Sequence, residues 1–195
     1  MRITLSPAAW LDLEPTFLLP EEAVPALEQL RDEVRWEQRE IVLFGRRIPQ
    51  PRLIGWGGAV PYRYSGQTLE PRALTARVAA LLARVSAFAR VPFNHVLANR
   101  YRDGHDSMGM HADDERELGQ APVVATLSLG AARRFVIAPR RAKAGERRSL
   151  TLESGSLLVM GGACQAEFRH GLPRDPALSG ERISLTFRAV VPADR

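Results

Sequence analysis

The chain contains four histidines, His95, His105, His111 and His170, and one of them stands two residues before an acid, in His111-Ala112-Asp113. In extended or turning backbone, positions two apart point the same way, so an imidazole and a carboxylate at this spacing can share one metal ion. A third ligand has to come from elsewhere, and His170 offers one from a late segment. Two histidines and a carboxylate make the facial triad of non-heme Fe(II) oxygenases, which leaves coordination positions open for cosubstrate and dioxygen. A bare His-x-Asp is common, and alone it equally describes a hydrogen-bonded pair on a solvated loop.

A second pattern strengthens the first. Arg182, Ser184, Thr186 and Arg188 alternate with Ile183, Leu185 and Phe187, so a strand here carries one polar row and one apolar row. The two arginines stand roughly 20 Å apart along the backbone, and long side chains leaning inward can bracket a small dicarboxylate. 2-Oxoglutarate is such a molecule: one end chelates iron and the other needs a cationic anchor.

These residues need a scaffold. With 195 residues, 45% hydrophobic and 25% charged, the chain suits one globular domain with a single core. It shows neither a membrane-length apolar run nor a secretory leader, so the cytosol is the expected compartment, at the nucleoid if the source is bacterial. Its one cysteine, Cys164, excludes an internal disulfide framework and reads as a small buried hydrophobe. Of 27 basic residues only Lys143 is lysine, and the net charge is +5. Arginine's bidentate fork suits a polyanion partner, although a coding bias would give the same composition.

Val24, Leu27, Leu30 and Val34 form a helical stripe over Glu21–Val34, and Leu74, Val78, Leu81, Leu82 and Val85 form another over about Pro71–Ala89. Between them, Trp36–Gly66 reads as a hairpin or ordered arm. From Asn94 onward come short strands: Asn94–Arg102, Pro122–Leu129, Arg133–Ala138, Ser149–Leu152, Ser156–Met160, Glu167–His170 and Arg182–Val190. Many short strands without intervening helices predict a mainly β, α+β chain: a jelly roll with helices outside the sheet. The expected division is 1–92, helices and arm, and 93–195, jelly-roll core.

The blocks Asn99-Arg100-Tyr101-Arg102-Asp103-Gly104, His111-Ala112-Asp113-Asp114-Glu115-Arg116-Glu117-Leu118 and Arg182-Ile183-Ser184-Leu185-Thr186-Phe187-Arg188 resemble the signatures of the AlkB family of dioxygenases, most of all its mammalian-type duplex-repair branch. The likeness runs from about Phe44 to Arg188. It implies a double-stranded β-helix in which His111, Asp113 and His170 ligate Fe(II). It implies that Arg182, with Tyr101 and Ser184, anchors the distal carboxylate of 2-oxoglutarate, and that Asn99 and Arg188 hold the end nearer the metal. It further implies O2 as oxidant, ascorbate as reductant in vitro, and oxidative demethylation of bases such as 1-methyladenine and 3-methylcytosine.

By the same resemblance, Tyr62 and Tyr64 belong to a lid that holds a flipped base. Asp114 and Glu115 contact the base or order its pocket, and Phe44 tips a hairpin that wedges into a duplex. Arg46, Arg47 and Arg52 are expected to touch phosphates. Core packing is the alternative for the three aromatics. One departure concerns the stretch after His170, where the duplex branch carries a basic cluster and this chain has Pro173-Arg174-Asp175-Pro176. The partner expected is therefore alkylated DNA, double- or single-stranded, with RNA open, bound by a monomer. Rival readings are the same scaffold acting on RNA, protein or a small molecule, a non-catalytic binding module, and a zinc hydrolase, which would have no use for paired arginines.

Overall fold

The computed structural model describes residues 1–191 except Phe44, Ser65 and 142–145, and the side chains of Val42 and Leu43 also lie outside the description. Strands β1 (Arg2–Thr4) and β2 (Ala9–Glu14) lead into helix α1 (Pro20–Glu33). A hairpin of β3 (Glu40–Leu43) and β4 (Arg46–Pro49) is followed by β5 (Leu53–Gly58), and a second hairpin of β6 (Tyr62–Tyr64) and β7 (Gln67–Leu69) precedes α2 (Ala76–Ala89). Next come β8 (His95–Tyr101), β9 (Met108–His111), β10 (Val124–Gly130), β11 (Arg133–Pro139) and β12 (Arg148–Leu152). The chain closes with β13 (Leu157–Gly162), the short helix α3 (Cys164–Glu167), β14 (Phe168–Leu172) and β15 (Arg182–Arg188).

The strands assemble into a seven-stranded sheet ordered β1-β2-β13-β10-β15-β8-β5 and a four-stranded sheet ordered β12-β11-β14-β9, both antiparallel. This is the expected jelly roll, with helices outside. Alternation explains the layering. Ile183, Leu185 and Phe187 of β15 join Ala125, Leu127 and Leu129 of β10 in a core covered by Ala23, Ala26 and Leu30 of α1 and Val78, Leu81 and Val85 of α2. The opposite faces of these strands meet the four-stranded sheet. There Leu11, Val124, Phe135, Ile137, Leu158 and Phe168 pack together at one end, and the polar row of β15 lines a cavity at the other.

Several expectations need correction. Of the expected α1 stripe, Leu27, Leu30 and Val34 pack against the core, but Val24 is 55% exposed and Ala23 and Ala26 face the sheet with them. Helix α2 begins at Ala76, not near Pro71, because the Thr75 hydroxyl accepts from the Val78 N–H as an N-cap and Arg72 pairs with Gly58. The boundary at 92 does not divide the layers: β1, β2 and β5, drawn from residues 1–92, complete the larger sheet. In particular β5, expected within an arm, pairs with β8 along its length.

Candidate active site

Pairing of β9 with β14 brings His111 directly opposite His170, their ring centroids 4.4 Å apart. Gly171 permits this approach, since a Cβ there would lie 2.9 Å from the Met108 carbonyl oxygen and 3.0 Å from that of Gly109. Asp113 follows two residues after His111, and its Oδ2 lies 3.7 Å from His170 Nε2. One ligand atom from each of His111, Asp113 and His170 falls within 4.8 Å of the other two. Among the described residues this is the group that fits a metal ion.

The surroundings hold each ligand in the required orientation and charge. His111 Nδ1 lies 3.0 Å from the Gly109 carbonyl and donates to it, which leaves Nε2 as the free lone pair. Asp113 Oδ1 accepts from Arg188 Nη2 at 2.6 Å, and the Asp113 backbone N–H donates to Gln165 Oε1 at 3.0 Å. Burial pushes the Asp113 carboxyl up, but Arg188 with His111 and His170 outweighs it and holds the carboxyl at about 2. Burial, reinforced by His111, pushes the His170 imidazole down to about 3. A deprotonated carboxylate beside neutral imidazoles is the state a divalent cation requires. Asp113 Oδ2 is buried without a hydrogen-bond partner among the described residues. A bare carboxylate oxygen in the interior is costly unless something positive meets it, and a cation seated among the three ligands does so.

A cavity opens beside the triad, walled on its apolar side by Phe135, Leu152 and Leu172. Asn99 and Tyr101 of β8 line it, as do Arg182, Ser184, Thr186 and Arg188 of β15, so the fold brings these residues to one cavity. Arg182 is 1% exposed and donates to the Leu152 carbonyl at 3.0 Å and to Ser128 Oγ at 2.6 Å. Among the described residues no carboxylate pairs with it, and its Nε has no partner. Burial lowers its guanidinium only to about 10, so it stays charged at neutral pH. Arg188 also keeps Nε and Nη1 without partners. Two buried guanidiniums, Arg188 paired with Asp113 and Arg182 without a carboxylate among the described residues, keep donors that suit an anion carrying charge at both ends.

On the side of Arg188, Tyr62 is fully buried with the guanidinium carbon 5.5 Å from its ring centroid. The Tyr62 hydroxyl and Glu115 Oε2 are buried near one another without a well-formed hydrogen bond to any described residue, and burial pushes the Glu115 carboxyl up. Tyr64 is buried beside Tyr62, their centroids 6.4 Å apart.

Other expected contacts fall elsewhere. Asp114 points outward and forms an ion pair with Arg140. Arg46 is exposed on β4, beside exposed Arg47, and Phe44 lies outside the described residues. Arg52 is not a surface phosphate contact: it is 6% exposed and donates to Asn99 Oδ1 and the Tyr64 hydroxyl. Arg133 is buried as well and donates to the carbonyls of Asp103, Asp106 and Pro173. Gln165, the orienter of Asp113, carries no sequence signal. Phe135, stacked on His170 with centroids 5.5 Å apart, is legible only as core.

The chain belongs to the 2OG-Fe(II) oxygenase superfamily, whose sequence profile matches residues 11–188. Within it the relatives are AlkB homologues. Mouse alpha-ketoglutarate-dependent dioxygenase alkB homolog 3 is 40% identical over 99% of this chain and 71% of its own length. The human DNA oxidative demethylase ALKBH2 is 33% identical over 94% of this chain and 75% of its own. A solved structure entitled "The structure of OsALKBH1" superposes with a TM-score of 0.65 over 96% of this chain at 17% identity, a likeness of fold. The protein is accordingly a dioxygenase of Fe(II), 2-oxoglutarate and O2.

Proposed function

We propose that this dioxygenase removes methyl groups from ring nitrogens of alkylated bases in DNA, of the 1-methyladenine and 3-methylcytosine kind. The observation that carries the reading is the juxtaposition of the triad with Tyr62 and Glu115. The Tyr62 hydroxyl and the Glu115 carboxyl lie near one another in the interior without a well-formed hydrogen bond, so polar groups of a ligand can engage both. An aromatic wall with polar groups at its edge is what a flipped base needs, because extrusion from the stack costs a few kcal/mol that the pocket must return. The relatives named as DNA oxidative demethylases support the same assignment.

His111, Asp113 and His170 hold the iron. Arg182 anchors the distal carboxylate of 2-oxoglutarate, with Tyr101 and Ser184 beside it, and Asn99 and Arg188 hold the nearer end. Tyr62 and Tyr64 hold the base, Glu115 receives its exocyclic amine, and the His111 ring lies on its far side. Asp114, engaged with Arg140, orders the rim, while Arg46 and Phe44 belong to the hairpin that meets the nucleic acid. Bound iron, with 2-oxoglutarate and dioxygen, supplies the oxidant for an N-methyl group that hydrolysis cannot remove. 2-Oxoglutarate leaves as succinate and CO2, and the hydroxymethylated nitrogen releases formaldehyde to restore the base.

The test is turnover with Fe(II), ascorbate, 2-oxoglutarate and oligonucleotides carrying 1-methyladenine or 3-methylcytosine, single-stranded, duplex or RNA. Formaldehyde and succinate in equal amounts are expected, with none from Asp113→Ala. Succinate without formaldehyde on every oligonucleotide would overturn the substrate assignment and leave the cosubstrate assignment standing.

A further inference from the structure

Arg52 lies just before β5, outside the triad and the anion receptor, yet its guanidinium is buried and joins three segments. Nε donates to Asn99 Oδ1 at 2.8 Å, Nη2 to the Tyr64 hydroxyl at 3.1 Å, and Nη1 to the Ser107 carbonyl at 3.3 Å. Asn99 belongs to β8 in the core sheet, Tyr64 to the β6–β7 hairpin, and Ser107 to the turn that enters β9 and His111. Among the described residues no carboxylate pairs with this arginine.

A guanidinium can only donate, which fixes the chemistry at both side-chain ends. The Asn99 oxygen must face Arg52, so the amide nitrogen is the end presented to the cavity that Asn99 lines. The Tyr64 hydroxyl must accept, so its own proton is free for another partner. An anion taking a hydrogen bond from the Asn99 amide nitrogen polarises the amide toward its oxygen and strengthens the bond from Arg52. Arg52 is then held more firmly, and so is the hydroxyl of Tyr64.

We propose that Arg52 is a positioning residue that makes the β6–β7 hairpin respond to 2-oxoglutarate: it sets the Asn99 amide toward the cosubstrate and passes the cosubstrate's presence to Tyr64. This rests on the assignment of Asn99 to the cosubstrate. By thermodynamic reciprocity, a hairpin ordered by the cosubstrate tightens cosubstrate binding by the same factor. The hairpin carrying both tyrosines is therefore held more firmly when the cosubstrate needed to generate the oxidant is bound.

The experiment is amide hydrogen exchange of the full-length protein with Mn(II) in place of iron, with and without 2-oxoglutarate, and no oligonucleotide. In the wild type, exchange in β6 and β7 is expected to slow about threefold or more on adding 2-oxoglutarate. Tyr64→Phe keeps the buried ring and deletes only the acceptor, and Arg52→Lys keeps the charge without the fork. Both are expected to lose the slowing. Equal slowing in Tyr64→Phe and wild type, or none in a wild type that binds 2-oxoglutarate by calorimetric titration, overturns the link alone. A wild type that does not bind 2-oxoglutarate in that titration brings down the cosubstrate assignment and this inference with it.

Discussion

Asp113 joins the two halves of the site, since one oxygen faces the imidazoles and the other takes the Arg188 guanidinium at 2.6 Å. Both partners are almost completely buried, so removing either leaves an uncompensated charge, and that loss is worth several kcal/mol. His95 offers a cleaner test of buried charge because it is not itself one of the proposed ligands. It is 1% exposed, packs 4.9 Å from the Tyr62 ring, and has neither nitrogen paired. Burial, with Arg188 nearby, pushes it down to about 3. The unfolded chain gains a proton at this position below pH ~6.5 that the folded chain refuses until about pH 3, so stability is present above that window and falls as the solution is acidified. His95→Phe is expected to flatten the decline, by about 2 kcal/mol at pH 5 relative to pH 8, in denaturant titrations at both values. An unchanged pH slope would show that His95 is protonated in the fold.

The alternating rows of β15 separate stability from chemistry within seven residues. Leu185 faces the helices and Ser184 faces the cavity. Leu185→Ala is expected to cost about 2–5 kcal/mol in unfolding free energy and to leave the 2-oxoglutarate affinity of the folded protein within error. Ser184→Ala should do the reverse, and equal destabilisation by the two would contradict the assignment of faces. That alternation is legible in the sequence, as are His111, Asp113 and His170. Contacts between elements are not. Whether Arg52 and Arg133 lie on a surface or inside depends on which loop closes over them, and a charged side chain looks the same in either place. The strands β1, β2 and β5, at the two ends of the larger sheet, leave little trace because short runs bind through a neighbour's ladder and carry little propensity of their own. The start of α2 falls later than its apolar stripe suggests because Arg72 is recruited by Gly58, a tertiary pairing that overrides local pattern.

At the scale of the whole molecule, the two sheets bring the metal-ligand triad and two buried arginines to one cavity, with Tyr62 packed on the Arg188 side. The chain's arginine excess is distributed unevenly about this core: Arg52, Arg133, Arg182 and Arg188 are buried, while Arg46 and Arg47 remain on the outer hairpin. Only the exposed ones can neutralise phosphate. The affinity for a single-stranded oligonucleotide is expected to fall linearly on a log–log plot against salt. Replacing Arg46 and Arg47 with alanine should reduce the slope by about 0.7 for each phosphate left without its arginine. A slope unaffected by both replacements would place the strand on another face.

Every functional statement depends on two imidazoles and a carboxylate meeting one ferrous ion with 2-oxoglutarate chelated next to it. The direct measurement is an anaerobic titration of the protein with Fe(II) in the presence of 2-oxoglutarate, following the visible charge-transfer absorption that arises only when the keto acid chelates ferrous iron. Saturation at one equivalent is expected, with no absorption in Asp113→Ala and a higher 2-oxoglutarate concentration needed to develop it in Arg182→Met. Absorption that survives undiminished in Asp113→Ala would contradict it.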